Sequence, residues 1–296
     1  MVSALALGGI MLAGAFLGST MLQSAPAVAA AAKTGAEARS FLPETPYTLR
    51  ESFSDEFDAL SLWDGQTGTW ATQFYYDGIA NRTLTSNGEL QMYVDPGFAG
   101  TGSQPLGLNP FELHDGVLDI VATRVPDQIS RQMWDYRYAS GLLTTRRTFT
   151  QTYGYFETRA KLPEGMGLWP AFWLLPEDGS WPPEIDVMEQ LGREPSVAYV
   201  GVHSDVYADH TLRVELGETT ENFHTYGVLW DPEHVTWFID GRQVRQIATP
   251  SDMHKPMYML VNLAIGGGWA WEPNELTRFP ARMSVDYVRA YALDPR

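Results

Sequence analysis

The segment Pro183–Gly192, PEIDVMEQLG, holds three carboxylates, Glu184, Asp186 and Glu189, within six residues. Glycoside hydrolysis is the reaction that most needs two such groups close together, one ionised to attack the anomeric carbon and one protonated to release the leaving oxygen. In a retaining enzyme they stand roughly 5 to 5.5 Å apart, and the charge on one raises the pKa of the other. On a regular strand Glu184 and Asp186 share a face, but Glu189 falls on the opposite one. A β-bulge at Val187–Met188 resets the alternation and brings Glu189 back. Immediately upstream, GMGLWPAFWLLPEDGSW places Trp169, Trp173 and Trp181 near the acids. Indole faces stack on the apolar C–H faces of sugars, so this company suits a saccharide cleft. Taken alone, such an acid pattern more often merely solvates an exposed strand, and each tryptophan could equally be core.

The elements that must position these groups are strands. GVLDIVATRV, YGYFETRAKL, SVAYVGVHS, HVTWFID, MYMLVNLAI and MSVDYVRAY are rich in β-branched and aromatic residues, and no helical period is sustained over three turns. The chain is therefore all-β. Asp240-Gly241 predicts a tight hairpin turn, because both residues tolerate positive φ. Asp95–Pro110 and Pro176–Pro183 are Gly/Pro loops of the kind that carry binding residues on a rigid sheet. In YGYFETRAKL, Tyr153, Tyr155, Glu157, Arg159 and Lys161 share one face, whereas Phe156, Ala160 and Leu162 share the other. Tyr199 and His203 likewise oppose Ala198, Val200 and Val202. Strands divided this way pack one dry face against a second sheet and leave the other open to solvent or ligand, which predicts a two-layer sandwich.

The net charge of −16 over 296 residues disfavours nucleic acid and anionic membrane surfaces as partners, since both would be repelled at long range. Zero cysteines excludes disulfides, thiolate metal sites and cysteine nucleophiles. Residues 4–22 are uncharged and are followed by SAPAVAAAAK, which reads as a signal peptide over 1–30 cleaved near Ala30; the alternative is an uncleaved anchor. A linker over 31–47 and one domain over 48–296 complete the expected organisation. The expected product is secreted or periplasmic, a monomer, and free of the membrane once the signal is removed.

The stretch GLWPAFWLLPEDGSWPPEIDVMEQLG resembles the active-site region of glycoside hydrolase family 16, in its laminarinase-like branch. FSDEFD, NGELQMYV, SGLLTTRRTFTQTYGYFETRAKLPEG, FHTYGVLWDPEHVTWFIDG, HKPMYMLVNLAIGGGW and SVDYVRAY follow in family order over about residues 50–293. WPPEIDVME and DMHKPMYMLVNLAIGG are similar to bacterial exopolysaccharide endo-β-glucanases. The resemblance implies a concanavalin-like β-jelly roll sandwich with a concave substrate cleft. It makes Glu184 the nucleophile, Glu189 the general acid/base and Asp186 the carboxylate that adjusts both. Trp169, Trp173, His203 and Trp269 match cleft residues, with Arg159 and Asn87 as further polar contacts; Trp181, beside the acids, is a further candidate for substrate binding. No cofactor is required, but many members bind structural calcium on the convex side. Glu56 and Asp286 are the candidate oxygen donors here, with salt bridging as their other reading. The substrate implied is a polysaccharide: β-1,3-containing glucan, whether laminarin-like, mixed-linkage 1,3-1,4 or bacterial exopolysaccharide, hydrolysed by double displacement. Transglycosylation on β-glucan, galactan hydrolysis of the agarase or carrageenase type, and non-catalytic glucan binding are the alternatives. Gln190, where the family often has Tyr or Phe, and the loop GGGWAWEP depart from the common pattern.

Overall fold

The computed structural model describes residues 42–208, 211–217 and 222–295, so the expected signal peptide and most of the expected linker lie outside the described residues. In chain order the strands are β1 (Tyr47–Asp55), β2 (Gln91–Tyr93), β3 (Phe111–His114), β4 (Val117–Arg124), β5 (Tyr138–Ser140), β6 (Leu142–Thr144), β7 (Gly154–Lys161), β8 (Leu168–Pro176), β9 (Glu184–Glu189), β10 (Val197–His203), β11 (Thr211–Glu215), β12 (His224–Trp230), β13 (His234–Ile239), β14 (Arg242–Ala248), β15 (Met257–Ile265) and β16 (Ala281–Pro295). They form two stacked sheets, the jelly-roll sandwich expected from the alternation. One has the order β11-β10-β9-β8-β15-β6. The other runs β14-β13-β12-β7-β16-β4-β5-β2, with β1 added to β16 and β3 to β4. Among the described residues, helix is confined to short turns, one of them α1 (Gly267–Ala270). No helix among the described residues is long and apolar enough to cross a membrane.

The core between the sheets is built by period-two alternation. From β8 it takes Leu168, Phe172 and Leu174; from β7, Phe156 and Ala160; from β13, Val235, Trp237 and Ile239. Ala171, Trp173 and Leu175, the other face of β8, join Phe74, Tyr93, Tyr258 and Leu260 in a second cluster on the far side of the six-stranded sheet. That side is the floor on which the acids stand. The hairpin between β13 and β14 turns on Asp240 and Gly241 at φ 50° and 72°, with Ile239 facing Arg242. Two consecutive positive φ values match the right-handed twist of the flanking strands. The Asp240 carboxylate also accepts from the Thr225 N–H (2.9 Å) and bonds His224 Nδ1 (2.7 Å), which ties the turn to β12.

Candidate active site

β9 lies in the interior of its sheet, between β8 and β10, and its register breaks where the acid spacing requires it. Against β8, Met188 faces Phe172 while Asp186 faces Trp173, which leaves Val187 without an opposite residue. Against β10, Glu189 faces Tyr199 and Asp186 faces Gly201. Val187 and Met188, consecutive in sequence, both enter the core, the signature of a bulge. Glu189 is thereby returned to the side of Glu184 and Asp186. A bulge disrupts the ladder and frees backbone groups, and the partner here comes from the opposite sheet: Trp237 Nε1, fully buried, donates to the Asp186 carbonyl at 2.8 Å.

The three acids sit in different surroundings. Glu184 is half-buried, and Trp181 Nε1 donates to its Oε2 at 2.5 Å. Asp186 is buried, and its carboxyl is held well above the usual carboxylate range by burial first, then by the charges of Glu184 and Glu189. It hydrogen-bonds Glu184, and His203 Nε2 lies 3.5 Å from its Oδ2. Glu189 accepts from Trp169 Nε1 at 2.9 Å. Burial, followed by the Glu184 charge, pushes its pKa up to about 8, with the Trp169 bond acting in the opposite direction. At neutral pH Glu189 therefore carries a proton and is a potential acid.

The expected substrate contacts divide. Trp181 is exposed, on the Pro176–Pro183 loop, with its ring 5.9 Å from that of His203. Trp269 packs edge-on against Trp169 (5.5 Å) and Tyr199 (4.8 Å), which places it beside Glu189. Asn87 borders the same corner. A Cβ on Gly267 would meet the Asn87 carbonyl at 2.8 Å and the Trp169 ring at 3.3 Å, and the φ of Gly267 is +89°, so only glycine lets that loop close over Trp169. Trp173 is on the cleft side but buried, with its N–H given to Asn262 Oδ1 (2.7 Å), so it supports the floor beneath the acids and is not an open stacking face.

Arg159 is a correction. β7 belongs to the ten-stranded sheet, and Arg159 bonds Asp286 Oδ2 (2.7 Å) and covers the ring of Phe223, away from the acids. The decorated face of β7 is not open either, because Tyr155 and Glu157 are buried there. Glu56 gives both oxygens to Arg289 (2.7 and 2.8 Å), whereas Asp286 goes to Arg159, so the structure does not bring the two together as calcium ligands. Among the described residues, the cluster of three His, Asp or Glu side chains close enough to share a cation is Glu184, Asp186 and His203.

Three residues that sequence reasoning passed over complete the site. Arg146 donates to the Phe74 carbonyl (3.0 Å) and to Tyr258 Oη (3.4 Å), which places a cation among the aromatics near Glu184. Arg193, just past β9, donates to the Trp269 carbonyl (2.7 Å) and covers Trp271 at 4.3 Å, pinning the tryptophan loop. Buried Glu89 accepts from the Leu84 N–H (3.0 Å), Gln91 (2.6 Å) and Asn87 (3.3 Å), which fixes the turn that abuts Gly267. The available signals were GELQ for Glu89 and TTRRT for Arg146, each within a family-like motif; for Arg193 there was none.

Residues 117–289 match the model of glycosyl hydrolases family 16. The chain belongs to this family. Among family 16 relatives, it is 47% identical over 248 residues to the endo-1,3-1,4-beta-glycanase EglC of Rhizobium meliloti, covering 83% of this chain and 52% of that protein. The chain thus spans about half the length of that relative. It is 31% identical to a beta-glucanase of Rhodothermus marinus, covering 80% of this chain and 88% of the relative. Among solved structures it superposes on the endo-beta-1,3-glucanase of Pyrococcus furiosus with a TM-score of 0.70 at 30% identity, covering 86% of this chain and 98% of that one.

Proposed function

We propose that this chain is a retaining endo-β-glycanase that hydrolyses glucans containing β-1,3 links, working outside the cytoplasm. The observation that carries the reading is the asymmetry of the two glutamates: Glu189 is buried and holds its proton, while Glu184 is partly open to the cleft. Glu184 attacks the anomeric carbon, the C1–O bond breaks, and the Glu189 proton passes to the departing oxygen. Water then attacks C1 of the glycosyl-enzyme, its proton goes to Glu189, and the ester oxygen returns to Glu184 as carboxylate. Asp186, by hydrogen bonding Glu184, orients the attacking carboxylate. Trp181 and Trp269 supply exposed or half-exposed ring faces on either side of the acids. The printed activities of the family 16 relatives support the substrate class, and the uncharged stretch over residues 4–22 supports export. The reading is tested with Glu184→Gln and Glu189→Ala. The first should abolish release of reducing ends from laminarin and lichenan yet still bind them. The second should regain turnover of an activated aryl glycoside when azide is added, giving a β-glycosyl azide. Turnover retained by Glu184→Gln, or an α-azide from Glu189→Ala, refutes the assignment.

A further inference from the structure

Beyond its edge strand β6, the floor of the cleft is extended by the segment 71–76. Ala71 bridges Thr144, the Phe74 ring packs 6.1 Å from Trp173, and Tyr76 stacks 5.8 Å from Phe74. Arg146 ties this edge to the cleft floor, donating to the Phe74 carbonyl at 3.0 Å and to Tyr258 Oη at 3.4 Å. Residues 71–73 and 75 of this segment also line a groove of about 840 Å³ bordered by Trp63, Asp64, Tyr75, Arg82, Asp95 and Arg147. Tyr75 stands at φ +68°, a conformation that bulky residues rarely adopt and that tends to persist at functional sites. It is locked there by Asn81, whose Oδ1 accepts the Tyr75 N–H at 2.5 Å and whose amide donates to Gln73 Oε1 at 2.9 Å. The conformation sets the Tyr75 ring under the exposed guanidinium of Arg147, 4.2 Å from its centroid. The acids of the groove are already engaged. Asp64 caps its own turn through the N–H groups of Gln66 (2.8 Å) and Thr67 (2.7 Å). Asp95 holds Arg82 (2.7 Å), the Thr72 hydroxyl (2.8 Å) and the Gly97 N–H (2.9 Å). Among the described residues Arg147 pairs with no carboxylate, in a chain whose net charge is −16.

We propose that this groove is an outlying subsite for a glucose unit bearing a carboxylate, with Arg147, oriented by Tyr75, as the group that binds the acid. The planar fork of a guanidinium matches a carboxylate with two parallel hydrogen bonds, and stacking on an aromatic face pre-orients it. The half-buried Trp63 offers the apolar surface that the sugar ring needs. The chain's overall charge narrows the class further. Densely anionic polymers are repelled over the whole surface, whereas a sparse carboxylate inside a Debye length of about 8 Å meets local cations, Arg147 and, 5.9 Å from the same Tyr75 ring, Arg146. The subsite rests on the glycanase reading given above.

The test compares a soluble β-1,3-glucan with its lightly carboxymethylated form and its partly C6-oxidised, uronate-bearing form, for the full chain and for Arg147→Gln. The full chain should show a KM about fivefold lower on at least one acidic polymer, as expected of a well-formed exposed ion pair. The advantage should shrink with added salt, collapse in Arg147→Gln with kcat little changed, and return in part in Arg147→Lys. Which polymer is favoured tells a substituent from a uronate unit. No preference in the full chain, a preference that survives Arg147→Gln, or an equal rise in KM for neutral and acidic polymers would each overturn the proposal. Affinity electrophoresis of Glu184→Gln in gels containing each polymer reads the same preference without turnover. Preferential binding with no hydrolysis by the parent chain would sink the glycanase reading and leave the subsite standing.

Discussion

Replacing Trp169 by Phe should move the alkaline limb of the activity profile upward. The proton on Glu189 is held to a pKa of about 8 by burial and by the Glu184 charge, and the Trp169 N–H at 2.9 Å opposes both because it favours the ionised form. Phenylalanine keeps most of the apolar bulk and removes only the donor. A hydrogen bond to a charged group is worth about 1.5–3 kcal/mol, and one pKa unit corresponds to about 1.4 kcal/mol. The smaller figure already predicts a shift of about one unit. The proposed first step needs Glu189 protonated, so the decline of kcat/KM at high pH, which reports the free enzyme, should move from near 8 toward about 9. The assay is kcat/KM on a soluble β-glucan between about pH 5 and 10, with Tm followed in parallel. A limb that stays in place or moves down refutes the reasoning. A uniform loss with no shift would make Trp169 a stacking surface alone.

Glu189→Gln should stabilise the fold at alkaline pH. The glutamate's pKa rises from 4.5 to about 8 on folding, so the unfolded chain releases its proton first, and stability that is complete below pH 4.5 is lost as pH rises through 8. Gln removes that loss, and calorimetry should find the Tm of the variant on the order of 5 °C above the parent at pH 8.5 but nearly equal to it at pH 4. Equal differences at both pH values would count against the assignment. Trp237→Phe should cost about 1–3 kcal/mol in urea unfolding, because the Asp186 carbonyl loses its buried donor, and should lower kcat as the bulge relaxes. An unchanged kcat would mean the bulge holds without it.

Much of the architecture was legible because strand alternation is a local property. MYMLVNLAI corresponds residue for residue to β15, and Asp240-Gly241 is a two-residue hairpin turn. The bulge was legible too, since three acids on a buried strand fit one face only with an inserted residue. Alternation separates the two faces of a strand, however, without saying to which sheet the strand belongs. Arg159 was therefore assigned to a cleft that lies on the other sheet. Trp173 has the right parity for the cleft, yet the packing of Phe74 over it and the bond to Asn262 depend on partners 99 and 89 positions away in the chain. Arg146, Arg193 and Glu89 act through backbone carbonyls and loop contacts, for which a side-chain pattern has no signature.

Under the proposed double displacement, the same geometry lets one glutamate serve as acid and then as base. Two causes raise the pKa of Glu189, burial and the Glu184 charge, and only the second changes during the reaction. Once Glu184 is an ester it carries no charge, and that contribution vanishes while burial and the Trp169 donor remain. The pKa of Glu189 must then fall at the moment when a base is needed to take the proton of water. The bulge is what makes this coupling available. Without the extra residue at Val187, Glu189 would face the core, out of reach of both the Glu184 charge and the Trp169 indole. Trp237, reaching across from the opposite sheet to the Asp186 carbonyl, makes the packing of the two layers part of the proton chemistry, so a core residue that touches no substrate still helps to set where the acid stands.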